Sequence, residues 1–179
     1  MKRVLIFISF FVFLKAYFAV ELRCYECNSS GCDYTSACAE GEVCLTIFSK
    51  VGNTVKVADK ICGKKEHCGQ SFSQLVRGQK ETNFTSCCES HRCIPSEKNA
   101  FRNGIMCPFC TKEGSMECTP TNYECMGKAN VCYTYTAPGR IIRGCGSKEL
   151  CGDPMNSFIT FEDDGGRTNC TEKSTEDSG

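Results

Sequence analysis

The positions of the cysteines constrain this chain more than any other feature. Cys24, Cys27, Cys62, Cys68 and Cys87 each recur 83 positions on, as Cys107, Cys110, Cys145, Cys151 and Cys170. Five coincidences at one offset mark a tandem duplication of one cysteine-rich unit. Cys32, Cys38 and Cys44 have counterparts in Cys118, Cys125 and Cys132 at offsets of 86, 87 and 88. The second copy therefore lengthens its first loop and shortens the next hairpin by a compensating amount. The boundary falls in the polar stretch Pro95-Ser96-Glu97-Lys98-Asn99. The expected organisation is a unit with ten Cys over 21–95, a linker over 96–104, a unit with eight Cys over 105–171 and a polar tail over 172–179.

Eighteen Cys in 179 residues is a density that belongs to disulfide scaffolds of oxidising compartments. The aliphatic content requires such staples. With the Cys and the first twenty residues set aside, only about a quarter of positions 21–179 are apolar, and there is no Trp. So little aliphatic surface cannot build a large core. The first twenty residues read as a signal peptide: Lys2 and Arg3, then an almost unbroken apolar run from Val4 to Leu14, then Lys15 to Ala19, with cleavage expected after Ala19 or Val20 although Tyr17 is bulky. A run of eleven residues, ten of them apolar, is too short to span a bilayer. Residues 162–179 are polar throughout, which excludes a lipid-anchor signal there. A secreted chain without a membrane anchor is expected. Lys and Arg number 21, as do Asp and Glu, with no basic block, so a nucleic-acid partner is excluded.

The second copy lacks counterparts of both Cys88 and Cys93, since Thr171 and Glu176 stand there. Losing two together while the count stays even points to a bond between Cys88 and Cys93. The segments between cysteines read as hairpins. Val43 to Phe48 runs out, Val51-Gly52-Asn53 turns, and Thr54 to Val57 returns. In the second copy Val131 to Thr136, the turn Ala137-Pro138-Gly139 and Arg140 to Ile142 repeat the pattern, and Phe158 to Phe161 suggests a further strand. No stretch beyond the leader shows sustained helical periodicity, so the fold class is all-β, small and disulfide-rich.

The order CxxC, single Cys at 32, 38, 44, 62 and 68, then the doublet Cys87-Cys88 and Cys93, resembles the three-finger superfamily of snake neurotoxins, protectin and the urokinase receptor. The resemblance covers residues 22–95 and 105–171, and so implies two tandem three-finger domains. Carried over position by position, it implies Cys24–Cys44, Cys27–Cys32, Cys38–Cys62, Cys68–Cys87 and Cys88–Cys93. In the second copy it implies Cys107–Cys132, Cys110–Cys118, Cys125–Cys145 and Cys151–Cys170. Ile94 replaces the Asn that commonly follows the last Cys of this superfamily. The two-unit layout and the segment Asn103-Gly104-Ile105-Met106-Cys107-Pro108-x-Cys110 resemble the gamma-type phospholipase A2 inhibitors. That resemblance implies a non-enzymatic protein that occludes a secretory phospholipase A2 and self-associates. A secreted signalling ligand or receptor modulator on the same scaffold is the alternative.

Rival chemistries are weaker. The two CxxC pairs are expected as structural disulfides, not as zinc ligands, and no cofactor is expected. Cys87-Cys88-Glu89-Ser90-His91-Arg92-Cys93 resembles the active-site helix of secretory phospholipases A2, but Arg92 stands where that motif needs Asp. Arg92 would repel calcium and leaves His91 without an adjacent carboxylate, so no catalysis is expected. Asn28 and Asn83 head glycosylation sequons, as does Asn169 with a cysteine in its middle position. For partner binding, Tyr133, Tyr135, Arg140 and Ile141 around the second-copy turn, with Leu75 and Arg77 in the first copy, combine the residue types of interface anchors. The competing reading is that alternate strand residues line the thin core.

Overall fold

The computed structural model describes residues 21–28, 31–96, 101–152, 158 and 165–173, with the side chains of 28 and 31–34 left aside. The leader at 1–20, part of the linker, the strand expected at 159–161 and most of the tail lie outside the described residues.

Among the described residues, short alternating segments bounded by Gly and polar turns form eleven strands. In the first half these are β1 (Arg23–Asn28), β2 (Gly31–Ala37), β3 (Glu42–Val51), β4 (Thr54–Lys64), β5 (Ser71–Val76) and β6 (Gln79–Cys88). The second half holds β7 (Arg102–Glu113), β8 (Thr121–Met126), β9 (Val131–Ala137), β10 (Arg140–Gly146) and β11 (Arg167–Glu172). Helix among the described residues is limited to two 3-10 turns, at Lys65–His67 and Lys148–Cys151. The expected hairpins form as β3–β4 and β9–β10. The fold is all-β and disulfide-rich.

β1 and β2 pair as a separate ribbon. The other nine strands form one sheet, in the order β11-β9-β10-β5-β6-β3-β4, with β7 on β10 and β8 on β7. The sheet does not stop between the halves. β10 gives one edge to β9 along its whole length, from Arg140↔Ala137 to Gly146↔Val131. Its other edge is shared. Arg140 to Arg143 pair with β7 of the same half, while Cys145 and Gly146 pair with Ser73 and Phe72 of β5.

A glycine makes that junction possible. A Cβ on Gly144 would lie 2.0 Å from the Ser73 carbonyl oxygen, so any side chain there would push β5 away. Around this contact Tyr133 Oη donates to the Ser73 carbonyl at 3.2 Å, and the Tyr133 ring stacks on Phe72 with centroids 5.1 Å apart. The Ser147 amide donates to the Ser71 carbonyl at 2.8 Å, and the Ser71 amide to Ser147 Oγ at 2.8 Å.

The core reflects the shortage of aliphatic residues. One cluster is Cys24, Cys38 and Cys44, with Cys62, Cys88 and Cys93 packed against it. A second groups Cys107, Cys125, Cys132 and Cys145 with Ile105 and Phe109, and Leu75 of the first half packs on it. The third, Phe72 with Tyr133, Tyr135, Ala137 and Ile142, also draws on both halves. The bonds are Cys24–Cys44, Cys38–Cys62, Cys68–Cys87, Cys88–Cys93, Cys107–Cys132, Cys110–Cys118, Cys125–Cys145 and Cys151–Cys170. Cys27 is disulfide-bonded as well, whereas the side chain of Cys32 lies outside the described residues.

The junction can be tested by one methyl group. Gly144→Ala is expected to lower stability by about 1–3 kcal/mol, the usual cost of overpacking. Guanidinium unfolding of the oxidised protein measures it, and an unchanged midpoint would mean that β5 and β10 do not approach in this register.

Candidate functional site

The residues expected at an interface are placed variously. Tyr133, Tyr135 and Ile141 are buried and offer no surface to a partner. Both faces of β9 and β10 are covered near the junction, so alternation does not turn these side chains outward. Here the core-lining alternative describes the strands. Arg140 is half-buried, with Nε 3.2 Å from Glu113 Oε1. Leu75 is half-buried against the second-half cluster. Of the six, Arg77 alone is exposed, at the β5–β6 turn with φ of 50°. Asn83 is half-buried on β6 between Ser49 and Phe72, Asn169 is exposed on β11, and the side chain of Asn28 is outside the described set. His91 is exposed beyond the end of β6, in a turn and not on a helix.

The structure instead brings together residues that are far apart in sequence. Between the halves lies a groove of about 450 Å³. One wall comes from the β3–β4 turn and the start of β6, with Lys50, Asn53, Lys80 and Thr82. The other comes from β7 and β8, with Arg102, Met106, Tyr123, Glu124 and Met126.

Strand period explains the first wall. Phe48 and Lys50 share a face of β3, while Phe84, Thr82 and Lys80 share a face of β6. Phe48 pairs with Phe84 and Lys50 with Thr82. The two Phe rings stack with centroids 5.1 Å apart and form the buried end of the row. Thr82 is buried and hydrogen-bonded to Ser73 Oγ at 2.9 Å. The tight turn at Arg77-Gly78, with φ of 50° and 78°, sends the chain back so that Lys80 faces the second half.

The second wall is set by the β7 lead-in. Asn103 Nδ2 donates to the carbonyls of Gly127 and Ala129 at 3.1 and 2.7 Å, and its Oδ1 accepts from the Ile105 amide at 3.1 Å. Gly104, at φ of 82°, kinks the strand where the β7–β8 register shifts. Its amide donates to Glu124 Oε1 at 3.0 Å, and Arg102 Nη1 lies 3.4 Å from Glu124 Oε2.

Three cations thus face one carboxylate, and that carboxylate already has two partners. Lys80 crosses the seam. Its Nζ donates to the Glu124 backbone carbonyl and sits 5.3 Å from the centre of the Phe109 ring. Burial lowers its pKa from the ordinary 10.5 to about 8, helped by Arg102 and Lys50 and opposed by Glu124. Nothing in the spacing of the sequence singled out Lys50, Lys80, Arg102 or Glu124. The alternation of Phe48 with Lys50, and of Lys80 with Thr82 and Phe84, is the signal that could have placed the first wall.

Two groups of three sulfurs also come together, Cys24/Cys38/Cys62 and Cys107/Cys125/Cys145. All six are in disulfides, and a metal is held by thiolate, not by cystine sulfur.

A comparison with known protein families finds no match. Among curated proteins, Protein Bouncer of Danio rerio is similar, 31% identical over 77 residues. That stretch is 40% of this chain and 62% of that protein, so the chain spans less than two thirds of the relative's length. With the disulfide-rich all-β fold, the similarity is consistent with the urokinase-receptor and lymphocyte-antigen type of three-finger protein. Among the described residues no helix is long and apolar enough to cross a membrane.

Lys80 provides a test of the groove's electrostatics. Between its folded pKa and 10.5 the unfolded chain holds the proton more tightly, so stability rises with pH across that window. Below about pH 8 the buried charge opposes folding. Lys80→Met, which keeps the apolar stem, is expected to be more stable than the parent at pH 7 and to lose that advantage towards pH 10.5. Denaturant unfolding of both proteins across this range measures the difference. A constant difference would show that Lys80 has an ordinary pKa.

Proposed function

We propose that this chain is a secreted, non-catalytic binding protein whose partner is another extracellular protein. The observation that carries the reading is the groove: a cationic, partly apolar recess on a sheet stapled by cystines, in a chain similar to a relative of the three-finger type. Disulfides worth about 2–4 kcal/mol each hold such a scaffold while its surface residues vary. The tandem reading, with three-finger units at 21–95 and 105–171, belongs to the same proposal.

The finer proposal is inhibition of a secretory phospholipase A2 by occlusion, with self-association as part of it. One observation favours it over the signalling-ligand alternative. The segment that resembles the gamma-type inhibitors, Asn103 to Cys110, supplies Met106 to the groove, and its Gly104 amide holds the groove's carboxylate. The covered surface would be the rim through which lipid enters the enzyme.

Titrating the oxidised protein into secretory phospholipases A2 acting on mixed micelles tests this. Inhibition that saturates and disappears after reduction and alkylation is expected. If hydrolysis is untouched at large molar excess while the protein still binds cells saturably, the inhibitor reading falls and the signalling-ligand reading replaces it.

A further inference from the structure

We infer that the groove between the halves binds an acidic segment of the partner protein, with Lys80 and Arg102 as its carboxylate anchors and Met106 as its apolar contact. This deepens the binding-protein reading and rests on it. The chain as a whole has no net charge, yet the described lining of the groove sets Lys80 and Arg102, with Lys50 beside them, against one carboxylate, Glu124. Glu124 offsets Arg102, 3.4 Å away, and its other oxygen accepts from the Gly104 amide, so of Glu124 Lys80 meets only the backbone carbonyl. Lys80 lies in a recess that weakens its proton affinity and makes a bound carboxylate a favourable neighbour. An incoming carboxylate would gain charge-assisted hydrogen bonds from both walls at once.

The apolar residues decide between acidic ligands. Met106 lines the groove and is 47% exposed. Tyr123 lines it beside Met106 and brings an aromatic ring. An exposed methionine and an aromatic ring in a charged recess suit a peptide that carries both carboxylates and aliphatic groups. A sulfated polysaccharide would meet the cations but leave this apolar surface uncovered. The volume, about 450 Å³, lies within the ordinary range of binding pockets, about 300–1,000 Å³.

The experiment is a nuclear magnetic resonance titration of the ¹⁵N-labelled, oxidised protein. The probes are an acetylated peptide of alternating Glu and Leu, the same peptide with Gln for Glu, and, separately, a heparin hexasaccharide. Amide shifts clustered at Lys50, Lys80, Arg102 and Met106 are expected with the Glu peptide. The Gln peptide is expected to bind about tenfold more weakly, as loss of a charge-assisted contact implies. Lys80→Gln and Arg102→Gln should each weaken the Glu peptide severalfold, whereas Lys148→Gln, an exposed cation outside the groove, should not. Groove shifts absent at millimolar Glu peptide, or equal for the Gln peptide, overturn the inference. So does a groove that responds to the hexasaccharide alone. If the groove is silent while the parent still inhibits a phospholipase or binds cells, this inference fails and the binding-protein reading stands.

Discussion

The contact between Gly144 and the Ser73 carbonyl holds the rest in place. Without a side chain at 144, β5 comes close enough to pair with the end of β10, and the ladder runs from β4 to β11. The same approach seats Phe72 on Tyr133 and sets the serine pair Ser71 and Ser147 in reciprocal hydrogen bonds. Backbone pairing is directional and register-specific, so it orients the halves in a way that apolar contact alone would not. The groove is a product of that orientation. β6 faces β7 and β8 across a seam because β5, hairpin-paired to β6, is locked to β10.

Cystine does here what aliphatic side chains do in larger domains. In the first half the cluster under β3 contains almost nothing else. In the second, four cysteines surround Ile105 and Phe109. A disulfide contributes mainly by restricting the unfolded chain, so it does not need the shape complementarity that a leucine core demands. Residues away from the bonds are then free to take polar or charged identities. That is why a chain so poor in aliphatics keeps a Lys–Thr–Phe row on one face of β6.

Much of the fold was legible in the sequence. Hairpins were visible because turn residues such as Gly52-Asn53 and Pro138-Gly139 interrupt alternating runs. The face of each strand was harder. Alternation identifies a buried and an open face only when one face is open, and β9 and β10 have cover on both. Tyr133 and Tyr135 therefore look like surface anchors in sequence, yet both sit in the core that joins the halves. The groove was illegible for a different reason. Lys50, Lys80, Arg102 and Glu124 are spread over three hairpins, and only the pairing of β5 with β10 brings the first two against the last two.

The β3–β4 hairpin has one irregularity with a wider meaning. Its register slips between Ile47 and Phe48, so that Asp59 and Val57 oppose them and Ala58 opposes nothing. β4 ends the ladder on that side; the β1–β2 ribbon packs on its later part, with Lys60 over the Tyr25 ring and Cys62 bonded to Cys38, and an end strand is a template on which another chain can add a further strand. The extra residue twists the template out of flatness, and Lys56 beside it adds a charge that a stacking neighbour would have to match. The bulge and the β1–β2 ribbon both work against growth of the sheet along the outer edge of the hairpin whose tip supplies Lys50 to the groove. Recognition by side chains at the tip and polymerisation through the backbone are kept on separate parts of one hairpin.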